Sequence, residues 1–72
     1  MSKLPILTST ELLPILRRHG FVPVRQSGSH VILEHADGRH TTVPVHKGRD
    51  IGKGLLRQIM RDTGLAVEDL LH

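Results

Sequence analysis

The chain has 72 residues, 38% of them apolar and 24% charged, a mix that describes one small globular domain rather than a disordered segment. With no cysteine it has neither a disulfide nor a thiolate zinc site, so its stability has to come from packing alone, on the order of 3–5 kcal/mol for a core of this size. No apolar run approaches the ~20 residues of a bilayer span, and residues 1–5 lack the apolar core of a secretory signal, so a cytoplasmic protein with no membrane partner is expected. The formal net charge is +3, but the distribution says more. From Arg17 to Arg61 nine bases face three acids, a net +6, whereas the segment after Arg61 carries Asp62, Glu68 and Asp69 and no base. A basic body with a pI near 10.2 suits a polyanion, most simply nucleic acid; it suits a well-solvated surface equally well.

In chain order, the first helix is announced by Thr8-Ser9-Thr10-Glu11, the spacing of a capping box, with Leu7 and Leu12 at the positions of a hydrophobic staple. Leu12, Ile15 and Leu16 then mark one apolar face. Pro14 removes a backbone donor inside this helix, which predicts a later start or a bend. Gly20 is placed to end the helix in the left-handed conformation, with Phe21 folding back onto it. Phe21 to Arg25 reads as a strand that Pro23 confines to an edge. Gln26-Ser27-Gly28 turns the chain, Ser29 to His35 is a second strand, Ala36-Asp37-Gly38 a tight turn, and Arg39 to His46 a third strand. A stretch rich in glycine and charge leads to a second helix near Gly54–Thr63, whose apolar face is Leu55, Leu56, Ile59 and Met60; Gly64 ends it, and a short terminal helix follows within Leu65–Leu71. Two helices on one face of a three-stranded antiparallel sheet make an α+β sandwich of two layers, α-β-β-β-α, in a single domain over 1–72.

The register of the second hairpin decides where its side chains point. A three-residue loop with Gly38 left-handed puts Val31, Leu33, Val43 and Val45 on one face and His30, Glu34, His40, Thr42 and His46 on the other. A two-residue Asp37-Gly38 turn would instead exchange the faces of one strand and stand His30 beside Val45. The first register separates apolar from polar more cleanly and is the expected one.

Six histidines are a surplus for this length, and three readings compete. As metal ligands they lack any recognisable spacing, although His35 and His40 flank a hairpin where metal could bind adventitiously. As structural residues, His19, His35, His40 and His72 occupy ordinary amphipathic positions. As a catalyst, His30 stands out: it follows Gly28-Ser29 at the start of a strand, within the basic body, and an imidazole moves protons at neutral pH without a metal. Lys53, Arg57 and Arg61 recur every four residues as a basic stripe, extended by Lys47 and Arg49 in the preceding loop. Such a stripe suits a row of phosphates or simply a wet helix face. With one Phe and no Trp or Tyr there is no stacking platform for bases, so recognition would run through backbone and shape.

Gly20-Phe21, Gly28-Ser29-His30, His35 with Asp37-Gly38-Arg39, Val43-Pro44-Val45-His46, Ile51, Lys53-Gly54, Arg57, Ile59 and Gly64-Leu65 form an ordered set. In it the chain resembles the HicA family of toxins (also labelled YcfA-like) from bacterial and archaeal toxin–antitoxin pairs, from about Glu11 to Asp69. Leu55 and Ala66 depart from the residues many relatives carry there. The resemblance implies a fold like the double-stranded-RNA-binding domain and an endoribonuclease that cleaves mRNA and is restrained by a HicB-type antitoxin; no metal or cofactor is expected, because RNA carries its own nucleophile. It implies that His30 is the catalytic histidine. The expected phosphate contacts are Lys47, Arg49, Lys53, Arg57 and Arg61, with His46 as a second proton carrier. Two further classes fit the charge: a non-catalytic double-stranded RNA- or DNA-binding module of the same fold, and an interaction domain whose basic face meets an acidic protein.

Overall fold

The first helix, α1 (Ser9–Arg18), begins where its capping box predicts. The Thr8 hydroxyl accepts from the Glu11 N–H at 3.2 Å and the Glu11 carboxylate accepts from the Thr8 N–H at 2.9 Å. Pro14 lies inside the helix without delaying its start. The carbonyl it leaves without a partner belongs to exposed Thr10, where water can replace the lost bond. At the other end Gly20 has φ +90°, the Phe21 N–H donates to the Leu16 carbonyl and the Gly20 N–H to the Arg17 carbonyl, the pair of bonds that defines a Schellman stop.

The computed structural model, which describes residues 3–71, continues with β1 (Val22–Ser27), β2 (His30–Glu34), β3 (His40–Pro44), α2 (Lys53–Thr63) and α3 (Val67–Leu70). The architecture is α+β, with one antiparallel sheet in the order β1-β2-β3. Pro23 does lie on an edge strand, and a bulge follows between Pro23 and Arg25. The first hairpin turns one residue later than the sequence suggests. Ser27 pairs with His30, so Gly28-Ser29 is the two-residue loop, with Gly28 at φ +58° in the first central position that a type II′ turn requires.

The second hairpin adopts the three-residue register. Leu33 pairs with Thr41, Val31 with Val43 and His30 with Pro44, while Gly38 takes φ +98°. The His35 N–H donates to the Arg39 carbonyl and the Val45 N–H to the Ser29 carbonyl, so His30 and Pro44 form a non-hydrogen-bonded pair between those rungs. Pro44 has no N–H to offer, and at this position on an edge strand none is needed. Val31, Leu33, Thr41 and Val43 are buried against Leu12, Ile15 and Leu16 of α1 and Leu56 and Ile59 of α2. Of the apolar face expected for α2, Leu55 and Met60 are only partly covered. The short α3 buries Leu70; Ala66 has no oxygen to cap it, so only the return bond exists, from the Ala66 N–H to the Asp69 carboxylate.

One cluster ties these pieces together. The fully buried Phe21 ring lies 5.0 Å from the His35 ring, tilted by 57°, and the Arg39 guanidinium sits over it at 5.1 Å. The same guanidinium donates to the Asp37 carboxylate at 2.8 Å and to the Thr63 carbonyl at the end of α2. Thr41 donates to Asp62 at 2.9 Å. The Nδ1 of His35 accepts from the Asp37 N–H at 3.1 Å, which closes the loop on itself.

Two predictions follow from this cluster. A Cβ at Gly20 would lie 2.7 Å from the His35 Nε2, whereas one at Gly38 meets nothing within 4 Å. Gly38→Ala should cost about 1–2 kcal/mol for its backbone alone. Gly20→Ala should lower the urea midpoint further, because His35 must also leave Phe21; equal losses would contradict the close packing. Asp37 is held below the usual carboxylate range, first by the Arg39 N–H donated to it; partial desolvation opposes this, and the Arg39 side chain and the Arg39 and His35 charges add to it. A carboxyl depressed in the folded state stabilises fully above its unfolded value, about 3.9, and loses that contribution as pH falls through the folded value. The stability gap between wild type and Asp37→Asn should therefore narrow on acidification below about pH 4. Parallel denaturation curves across that range would contradict it.

Candidate nucleic-acid interface

His30 is the first residue of β2, and the alternation of the strand turns it away from the helices, onto the open face of the sheet. Its cross-strand neighbours are Ser27 and Pro44, and the next row on the same face is Arg25, Ile32 and Thr42. The imidazole is exposed, and among the described residues no hydrogen bond or ion pair holds it. Nothing in the fold has to break for the imidazole to contact a bound molecule.

The chain leaves β3 at the same end of the sheet. His46 lies two residues beyond Pro44; its carbonyl accepts from the Arg49 N–H at 3.0 Å, and Gly48 at φ +77° makes the turn. Lys47 and Arg49 are exposed on this loop. Their loop is fastened to the N-terminal segment by the Ile51 N–H bond to the Leu7 carbonyl, 2.7 Å, and by the bridge between Thr8 and Asp50. The helix α2 then runs back antiparallel to β3, as the bonds from Arg39 and Thr41 to Thr63 and Asp62 require. Five strand residues and eleven helical residues both span roughly 15 Å, so the two elements match in length. Lys53 therefore starts at the His30 end, and Arg61 lies about 12 Å further along the axis.

The basic residues thus divide. His30, His46, Lys47, Arg49 and Lys53 gather at one end of the sandwich. Arg57 and Arg61 lie farther along a helix that packs on the sheet face opposite His30, and with Lys53 they line a groove against Lys3, Leu4 and Ile6. A strand of nucleic acid reaching both His30 and Arg61 has to pass around the β3 edge. The other histidines separate too. His35 packs on Phe21 on the core side, whereas His40 pairs with Glu34 on the open face, so they do not share a metal. Among the described residues no group of three His, Cys, Asp or Glu side chains could hold one. No helix among them is long and apolar enough to cross a membrane.

Sequence reasoning passed over Arg25, which the fold puts on the His30 face. The alternation Arg25, Ser27 across a Gly28-Ser29 turn carries that information; placing the turn one residue early hides it. The groove residues Lys3, Leu4 and Ile6 meet α2 only in three dimensions, so no local signal marks them.

A search of curated proteins found no match to this chain. A protein-family comparison did: residues 9–65 of the 72 match the family described as "HicA toxin of bacterial toxin-antitoxin". The matched stretch runs from α1 to the end of α2 and includes the Gly28-Ser29-His30 turn and the Phe21 cluster. The chain belongs to the HicA toxin family, the toxin half of a bacterial toxin–antitoxin system.

Proposed function

We propose that this toxin is an endoribonuclease of mRNA in which His30 is the general acid or base. The observation that carries the reading is the placement of His30: an exposed imidazole with no partner among the described residues, at the sheet end where Lys47, Arg49 and Lys53 also emerge. RNA brings its own nucleophile. In the proposed reaction the 2′-hydroxyl loses its proton and attacks the adjacent phosphorus. The bond from phosphorus to the 5′-oxygen breaks, and the departing oxygen takes up a proton. The products are a 2′,3′-cyclic phosphate and a 5′-hydroxyl. His30 carries one of those two protons, and His46 is the second carrier. Lys47, Arg49 and Lys53 hold the phosphates beside His30, and Arg57 and Arg61 extend the path along α2. No metal or organic cofactor is needed for this chemistry. A HicB-type antitoxin is the partner that holds the activity in check, and the cytoplasm, where mRNA is translated, is the site of action.

The test is RNA cleavage in excess EDTA by wild type and His30→Ala, each shown to be folded and free of antitoxin. Loss of one general acid–base group lowers the rate about 10²–10⁴-fold. Equal cleavage by both would remove His30 from the mechanism. Binding without cleavage by either would make the chain a non-catalytic RNA-binding module. Replacing both Lys47 and Arg49 by alanine should flatten the dependence of log K on log salt by about 1.4 for single-stranded RNA. An unchanged slope would place the phosphates elsewhere.

A further inference from the structure

Among the described residues Arg25 is the only lysine or arginine within the three strands, and it stands on the open face that carries His30. It pairs across the sheet with Ile32, so His30, two residues earlier on β2, is its diagonal neighbour on that face. Diagonal neighbours in an antiparallel pair lie roughly 7–8 Å apart, within reach of a long side chain. The other diagonal neighbour is Glu34, the usual partner for an exposed arginine. Among the described residues, however, no ion pair or hydrogen bond holds the Arg25 guanidinium. The hairpin that carries Arg25 and His30 is tied. Gly28 takes the positive φ of its two-residue loop, and the Gln26 side-chain amide donates to the Gly28 carbonyl at 3.1 Å. The bulge comes only between Pro23 and Arg25, so from Arg25 to the turn the pairing is regular and fixes Arg25 relative to His30. Lys47 and Arg49 approach this end of the sheet from the β3 side, in the loop beyond Pro44, whereas Arg25 stands on the β1 side; His30, on the central strand, lies between them.

We propose that Arg25 grips the phosphate on which His30 acts, with its guanidinium fork on the two non-bridging oxygens while the imidazole exchanges a proton with one of the two reacting oxygens. The inference rests on the ribonuclease reading and adds to it the residue that takes up the charge of the reaction. As the 2′-oxygen bonds to phosphorus, and before the bond to the 5′-oxygen breaks, the phosphate passes from one negative charge to two. A planar pair of donors already in place stabilises that state more than it stabilises bound RNA. Arg25 stays protonated throughout and carries neither of the two protons that move. It differs in this from Lys47, Arg49 and Lys53, which hold neighbouring phosphates whose charge does not change.

The experiment compares RNA cleavage in excess EDTA by wild type, Arg25→Gln and Arg25→Lys, after matched thermal melts confirm equal folding. For Arg25→Gln the expected result is a kcat lower by about tenfold or more, with KM changed by less than about threefold. Arg25→Lys keeps the charge without the fork and should recover only part of the rate. Wild-type kcat in Arg25→Gln, with or without a raised KM, would overturn the proposal. A second measurement decides the contact without turnover. On adding a 2′-O-methylated RNA that cannot be cleaved to wild type, the resonances of the Arg25 guanidinium and the His30 imidazole should shift together. An unmoved Arg25 resonance would overturn the proposal whatever the kinetics show. Absence of cleavage by wild type would sink the ribonuclease reading on its own, and a joint shift would still place a phosphate between Arg25 and His30.

Discussion

The contact between Phe21 and its two covers, His35 and Arg39, is the constraint on which the remaining geometry depends. Phe21 is the one ring among Phe, Tyr and Trp in the chain. It arrives in the core as the last residue of the α1 stop, and it is covered by the first and last residues around the second hairpin loop. Arg39 is partly exposed, and a guanidinium over a ring at such a site contributes about 0.5–1 kcal/mol, a sizeable share of the stability available to a domain this small. The same Arg39 binds the final carbonyl of α2, so one side chain joins both long helices to the sheet. Register follows from it. If the β2–β3 pairing slipped by one residue, one strand would exchange its faces and the pairing of His35 with Arg39 would be lost. The outward aim of His30 is held in place from the far end of its own strand.

This arrangement separates two kinds of residue within the stretch that matches the toxin family. Gly20, Phe21, His35, Asp37, Gly38, Arg39 and Gly64 make the clamp: glycines at positive φ where the chain must turn, and side chains that bond to one another. His30, Lys47, Lys53 and Arg57 do nothing comparable inside the fold. They project from its surface and, among the described residues, make no side-chain hydrogen bond or ion pair. Side chains of that second kind are the ones available to a ligand, and their types suit an anion with protons to exchange.

Much of the fold was legible because the signals were local. The capping box at Thr8 and Glu11 and the stop at Gly20-Phe21 are interactions within a few residues, and both formed as their spacing implies despite Pro14. The second hairpin was legible through alternation, since Val31 and Leu33 point one way and His30 and Glu34 the other. The first hairpin was not. All six residues of β1 are exposed and a bulge interrupts them, so no alternation of burial marks the register and the turn is displaced by one residue. His35 illustrates a different limit. Its imidazole reads as an ordinary strand position until the tertiary fold lays it on Phe21, about fourteen residues away in the chain. The division of the basic residues between the His30 end and the groove was equally hidden, because periodicity placed Lys53, Arg57 and Arg61 on one stripe without saying what stands opposite.

In the proposed reaction RNA supplies the nucleophile and His30 moves a proton. The most direct test is the chemistry of the ends left on a cleaved RNA, read by mass spectrometry. The expected ends are 2′,3′-cyclic phosphate on the upstream fragment and 5′-hydroxyl on the downstream one, formed by wild type and lost with His30→Ala. Fragments ending in 3′-hydroxyl would contradict it, because water rather than the ribose would then have attacked the phosphorus.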